Sequence, residues 1–157
     1  VTWESASSLW ACSSANANII YHAAGWMEGG LCASFEKFVI DCEMLQQFAH
    51  YHQPVSVTEE DLALEAIRAV GPSGHFLGAD HTRERYKTAF YSPFLSDWSN
   101  FESWEQAGAV ETPQRANKIF KEVLAQYEAP PMDAAIREEL EEFVERRKRE
   151  GGAHTDF

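Results

Sequence analysis

Residues 18–30 read NIIYHAAGWMEGG, and this stretch decides how the chain is interpreted. Its first part, residues 18–22, is an apolar run rich in β-favouring residues and without strict alternation, which is typical of a strand covered on both faces in a parallel sheet. The glycines that follow indicate a loop at the C-terminal end of that strand. In α/β folds, and in barrels above all, this end of a strand carries the active site.

Helical patterns surround this strand. Residues 4–17 predict a short helix, and residues 34–50 predict a strong one with Ser34 as N-cap and apolar residues at i, i+3 and i+4. Further helices are expected after Thr58, Thr112 and Asp133. A lone strand must pair, so we expect its neighbours to lie outside these 157 residues.

The composition excludes several classes of function. The net charge of −12 argues against nucleic-acid and anionic-membrane binding, because the only basic run, residues 146–149, follows a stretch equally rich in glutamate. No apolar run approaches the roughly 20 residues of a membrane helix. An odd count of three cysteines among apolar neighbours predicts buried thiols and a cytoplasmic location.

The loop after the predicted strand is the first candidate site. It brings together an imidazole, a carboxylate and two aromatic rings, from His22, Glu28, Tyr21 and Trp26. We therefore expect His22 and Glu28 to be catalytic and Tyr21 and Trp26 to bind substrate. The alternative is a structural loop in which His22 satisfies backbone groups and Trp26 packs.

A second candidate site lies in residues 71–77, where two glycines allow close approach of the backbone and His75 can bind substrate or donate a hydrogen bond. The alternative is a loop that only ends a helix, pinned by Phe76 and Leu77. No nucleotide-binding, serine-hydrolase or zinc motif is present. His50 and His52 lack a third ligand nearby in sequence, so we predict no metal site.

Several blocks keep their order and spacing over roughly residues 15–125, namely NIIYHAAGWMEGGL at 18–31, SFEKFVID at 34–41, LAL at 62–64, VGP at 70–72, GHFL at 74–77 and HT at 81–82. Together they resemble the C-terminal part of the trimethylamine methyltransferase family. The resemblance implies an α/β fold, a TIM (β/α)8 barrel much longer than this mostly helical chain. Residues 1–53 would be its last βα units, and residues 54–157 a helical C-terminal extension.

The resemblance also implies a reaction. Members of the family move a methyl group from a methylated amine, trimethylamine or a quaternary amine such as glycine betaine, to the cobalt of a corrinoid protein. Asp80 and His81 are adjacent, so the Asp-x-His-x-x-Gly pattern of corrinoid-carrying domains is absent. We therefore expect the corrinoid (cobalamin) to arrive on a partner protein, with none bound covalently here.

Three partners follow from this interpretation: the corrinoid protein, the small methylated amine and the missing N-terminal portion of the barrel. We also expect a homo-oligomer. Two other hypotheses compete with the enzyme. The chain could be a non-catalytic, acidic helical interaction module derived from the family. It could also be an oligomerisation piece in which residues 91–157 clasp a neighbouring barrel.

Overall fold

The computed structural model describes residues 2–151 and is mostly helical. Contacts divide the chain into two compact units, residues 1–124 and residues 125–157. The expected boundary at residue 53, between barrel units and a helical extension, stays a prediction. Val39 on one side of it packs with Leu95 and Ala116 on the other.

The helices of the described chain are α1 (Thr2–Ser14), α2 (Phe35–Tyr51), α3 (Glu59–Leu62), α4 (Leu64–Val70), α5 (Asp80–Arg85), α6 (Phe101–Gln106), α7 (Thr112–Ala125) and α8 (Ala134–Arg149). Two short strands, β1 (Trp26–Met27) and β2 (Cys32–Ala33), lie between α1 and α2. Two 3₁₀ turns occupy Glu28–Gly30 and Phe76–Gly78.

The predicted strand at residues 18–22 is not present in this structure. These residues form turns and irregular backbone, and the strands lie further along, with Trp26 opposite Ala33 and Met27 opposite Cys32 in an antiparallel pair. A strand needs a hydrogen-bonded neighbour. None of the described residues offers one to residues 18–22, and the barrel strands expected beside them remain a prediction.

The helix predictions are confirmed where local signals are strong. Ser34 caps α2 by accepting a hydrogen bond from the Lys37 N–H at 3.2 Å. Thr58 and Asp61 form a capping box at the start of α3, and Asp133 caps α8. The first helix ends at Ser14, three residues before the predicted end at residue 17.

The core of the first unit is small. Val39, Leu95 and Ala116 are buried, and Ile40, Ile119 and Phe120 pack against them. Leu95 comes from residues 91–111, a segment rich in aromatic residues that contains the short helix α6 and packs against α2. Glu43 of α2 holds that segment by accepting hydrogen bonds from the backbone N–H groups of Leu95 and Ser96.

The second unit consists mainly of α8. None of its side chains within the described residues is buried. Its apolar stripe is about half exposed, at Ile136, Leu140, Phe143 and Val144. No helix in residues 2–151 combines the length and the apolar character needed to cross a membrane.

Candidate functional site

A cavity of about 690 Å³ lies between α1 and the loop that leads into the hairpin. One wall is α1, through Ser5, Ser8 and Leu9, and the other is formed by residues 20–30. The four candidates from this loop all line the cavity: Tyr21, His22, Trp26 and Glu28. The structure therefore brings together every site residue that the sequence predicts in this stretch.

His75 is the exception among the predicted site residues. It is exposed, precedes the 3₁₀ turn Phe76–Gly78, and is not among the residues that line this cavity. Its neighbour Gly74 has a structural reason to be glycine, because a Cβ there would stand 2.5 Å from the carbonyl oxygen of Val70. These features suit a loop that ends a helix, which was the alternative interpretation of residues 71–77.

Aromatic rings form one side of the cavity. The imidazole of His22 and the indole of Trp26 lie 5.0 Å apart between ring centroids, tilted by 35°. Tyr21 is 83% exposed and Trp26 is 41% exposed, so each ring presents area to a ligand. The negative face of an aromatic ring attracts a quaternary ammonium group, which makes this side suited to a methylated cation.

His22 and Glu28 share an unusual backbone. Their φ angles are +56° and +52°, in the left-handed region. Among the described residues, six non-glycine residues have a positive φ, and these two both line the cavity. Such a conformation costs roughly 1 kcal/mol or more per residue, and it persists where the surrounding structure holds it.

A buried ion pair on α2 holds the loop. Asp41 is 1% exposed, and its Oδ2 accepts a hydrogen bond from the Gly25 N–H at 2.9 Å. Lys37, 5% exposed, pairs with both oxygens of Asp41 and donates to the Ser5 hydroxyl at 2.8 Å. Because Ser5 lines the cavity and Gly25 precedes Trp26, this pair connects both walls to α2.

Lys37 and Asp41 are not among the residues that the sequence predicts for the site. Their i, i+4 spacing is that of an ordinary surface pair on a helix. One apolar stripe of α2 carries Phe35, Phe38 and Val39, and a second carries Ile40, Met44 and Phe48. These two stripes predict burial on two sides of the helix, and they are the signal that could have found the pair. A helix covered on two sides leaves little surface where a charged pair can meet water.

The family model for trimethylamine methyltransferase (MTTB) matches residues 1–152. The chain belongs to this family.

This family member is similar to several curated proteins. It is 36% identical over 150 residues to a glycine betaine methyltransferase of Desulfitobacterium hafniense. The aligned residues make up 96% of this chain and 31% of that protein. The chain is 35% identical over 138 residues to a trimethylamine methyltransferase of Desulfitobacterium hafniense, covering 88% and 27% of the two chains. A trimethylamine methyltransferase of Methanosarcina barkeri is 33% identical over 132 residues, covering 84% and 26%. The chain thus spans about three tenths of the length of these relatives.

The cysteines of this family member differ in their surroundings. All three are free thiols; Cys12 and Cys42 are half-buried, but Cys32 is exposed, so the prediction of buried thiols is wrong there. Burial, with a smaller contribution from the negative charge of Asp41, raises the pKa of the Cys42 thiol. That shift disfavours the thiolate, which is the nucleophilic form.

No three His, Cys, Asp or Glu side chains within residues 2–151 are grouped so that they could hold a metal ion. The two histidines at the end of α2 make other contacts. The His50 ring lies 5.9 Å from that of Tyr91, and His52 hydrogen-bonds to the Ser13 hydroxyl.

Trp26 borders a second cavity, of about 510 Å³, which is almost entirely apolar. Phe35, Phe38 and Phe120 line it, and the rings of Phe35 and Phe120 stack at 5.1 Å between centroids. The indole of Trp26 therefore stands between a polar cavity and an apolar one. A shift of the loop that carries Trp26 would change both.

Proposed function

We propose that this chain is part of a methyltransferase that moves a methyl group from a methylated amine to the cobalt of a corrinoid protein. The observation that carries the proposal is the cavity in which Tyr21, Trp26 and Glu28 converge, in a chain of this family. Protonated trimethylamine and glycine betaine both carry a positively charged nitrogen that bears three methyl groups. The names of the relatives support both donors.

The chain's own residues would bind and orient the donor. The ring faces of Trp26 and Tyr21 attract the methylated nitrogen, and the carboxylate of Glu28 complements its positive charge. His22, 5.0 Å from Trp26 between ring centroids, limits the freedom of the indole. Holding the donor in one orientation lowers the entropic part of the barrier, which is the main contribution a protein makes when the acceptor is already reactive.

The corrinoid would be a second substrate on a partner protein and would supply the nucleophile that accepts the methyl group. Asp80 pairs with Arg83 at 3.0 Å, and His81 Nε2 lies 3.0 Å from the Glu60 carbonyl oxygen. Delivery of the corrinoid by a separate protein follows from the sequence pattern: Asp80 and His81 are adjacent, so the Asp-x-His-x-x-Gly pattern of corrinoid-carrying domains is absent.

The remaining barrel strands would come from sequence outside this chain, since the relatives are about three times as long. We place the complete protein in the cytoplasm. The competing hypothesis, a non-catalytic interaction or oligomerisation module, is favoured by one observation. The apolar stripe of α8 is about half exposed at Ile136, Leu140, Phe143 and Val144.

The test is a methyl-transfer assay on the complete polypeptide that carries these residues, with cob(I)alamin as acceptor and trimethylamine or glycine betaine as donor. We expect turnover with one of the two donors. Replacing Glu28→Gln or His22→Ala should lower kcat/KM about tenfold each, because Glu28 complements the charge of the donor and His22 restrains the indole that binds it. Glu102→Gln, an exposed carboxylate on α6, is the matched control and should change nothing.

Native and denaturing masses of the purified material distinguish the two hypotheses. A longer polypeptide that contains this sequence supports the enzyme. A lone 17.8 kDa monomer in both conditions, without methyl transfer, would support the interaction module instead. Unchanged kinetics in both variants would leave His22 and Glu28 as structural residues.

A further inference from the structure

The carboxylate of Asp41 makes three hydrogen bonds to two partners and has almost no contact with solvent. It receives the ammonium group of Lys37 on both oxygens, and Oδ2 also accepts the Gly25 N–H at 2.9 Å. Gly25 is itself buried, with φ at +83°, and a Cβ there would stand 3.2 Å from the Cβ of Phe38. Glycine therefore allows the loop backbone to approach α2 closely enough for this hydrogen bond.

Stability alone explains such a pair poorly. Removing two charges from water is costly, and replacing a buried ion pair by apolar residues of similar volume is often neutral or stabilising. A hydrogen bond from one backbone N–H to a carboxylate oxygen fixes the orientation of that backbone group in addition to attracting it. In this chain the hydrogen bond fixes the backbone of Gly25, the residue immediately before Trp26.

The same pair reaches the opposite wall of the cavity. Lys37 donates to the hydroxyl of Ser5 on α1 at 2.8 Å, and Ser5 lines the cavity. One buried network thus sets the distance between α1 and the loop that carries Trp26 and Glu28. A site for a small cation needs that distance fixed before the ligand arrives, because ordering a loose loop on binding weakens affinity.

We propose that Asp41, held by Lys37, is a positioning residue that pre-organises the cavity for the methylated amine. Asp41 touches no substrate in this proposal; it acts through Gly25 on the loop, and through Lys37 on Ser5. The inference rests on the proposed function for its substrate. Its structural part, that Asp41 restrains the loop, stands on the hydrogen bonds alone.

Glu43 supplies a matched control on the same helix. It is 4% exposed, against 1% for Asp41, and it also accepts hydrogen bonds from loop backbone. Its partners are Leu95 and Ser96, neither of which lines the cavity. A substitution at Glu43 therefore reports what loss of a buried carboxylate does to the fold in general.

The experiment compares Asp41→Asn with Glu43→Gln in the complete protein, by two measurements. Hydrogen exchange of peptides covering residues 19–34 reads the loop without any need for activity. We expect Asp41→Asn to speed exchange there about tenfold, and to raise KM for the methylated amine about tenfold with kcat changed less than about threefold. Glu43→Gln should leave both unchanged and speed exchange around residues 91–96 instead.

A second variant covers the case in which Asp41→Asn fails to fold because it leaves Lys37 charged and unpaired. Lys37→Met with Asp41→Leu fills the same space with apolar groups and removes the acceptor for the Gly25 N–H. Apolar packing offsets most of the cost of the unpaired Gly25 N–H, so we expect cooperative melting within a few degrees of the wild type. The faster exchange and the rise in KM should be the same as in Asp41→Asn.

The outcomes separate the two proposals. Loop exchange at the wild-type rate in the double variant overturns the positioning role, whatever the activity. Faster exchange with unchanged KM overturns the claim that positioning serves substrate binding. If the wild-type protein transfers no methyl group, the proposed function fails, and the exchange data still decide whether Asp41 restrains the loop.

Discussion

Helices α2 and α8 are similar in length, 17 and 16 residues, and carry charged side chains in very different circumstances. Helix α2 buries Lys37, Asp41 and Glu43, and each holds backbone or side chains of another segment. Within its described residues, α8 buries none of its charges. We therefore expect the contribution of a charged residue to the free energy of unfolding to depend on its burial and on the groups it hydrogen-bonds.

The largest effect should come from Glu43→Ala. The substitution leaves the buried N–H of Leu95 and the part-buried N–H of Ser96 without their acceptor, and it opens a void beside the small core. We expect the free energy of unfolding of the first unit to fall by about 3 kcal/mol. Urea titration of the complete protein, with hydrogen exchange of residues 35–51 and 91–96 to localise the change, measures it.

Glu141→Ala on α8 is the control for that measurement, because Glu141 is an exposed glutamate on a helix. We expect its effect to stay within about 0.5 kcal/mol. Equal losses at Glu43 and Glu141 would remove the distinction between the two helices.

A smaller effect is expected at the start of α8. Asp133 accepts hydrogen bonds from the N–H groups of Ala135 at 2.9 Å and Ile136 at 3.4 Å, which are otherwise unpaired in the first turn. Asp133→Ala should cost about 1 kcal/mol of helix stability. Far-UV circular dichroism of synthetic peptides spanning residues 131–151 should show lower helicity in the variant, whereas Asp133→Asn should retain most of it. Equal helicity in all three peptides would mean that the cap does not stabilise α8.

The sequence predicted the helices well because their signals are local. Ser34, Thr58 and Asp133 each cap a helix at or within a residue of the expected place. It also grouped Tyr21, His22, Trp26 and Glu28, since neighbours in a short loop line the same cavity. Both predictions depend only on residues that are close together in the sequence.

The errors have a common cause, which is dependence on distant partners. A strand at residues 18–22 needs hydrogen-bonding neighbours, and the described residues provide none. The buried pair of Lys37 and Asp41 is recognised only when Gly25 and Ser5 are seen to surround it. The role of His75 stays a prediction: it belongs to a separate loop, residues 71–77, and does not line the cavity.

Asp61 sharpens the comparison, because it is hydrogen-bonded like Glu43 but exposed like the glutamates of α8. Its carboxylate accepts hydrogen bonds from the hydroxyls of Thr58 and Ser56, both at 2.7 Å, and from the Thr58 N–H at 2.9 Å. These bonds, the Thr58 hydroxyl first, lower the pKa of Asp61 to about 2. Exposure to water makes the energetic effect the smallest of the series.

The sign of its pH dependence follows from the lowered pKa. The ionised carboxylate is favoured in the folded state, so its contribution is complete above the ordinary value of 3.8 and is lost as the pH falls through about 2. A ¹³C titration of the Asp61 carboxyl group should give a midpoint near 2 in the wild type, and Thr58→Val should move it towards 3.8. The difference in unfolding free energy between wild type and Asp61→Asn should shrink over the same range. A wild-type midpoint near 3.8 would show that the hydrogen bonds to this exposed carboxylate do not stabilise its ionised form. Burial alone would then distinguish Glu43 from the exposed carboxylates.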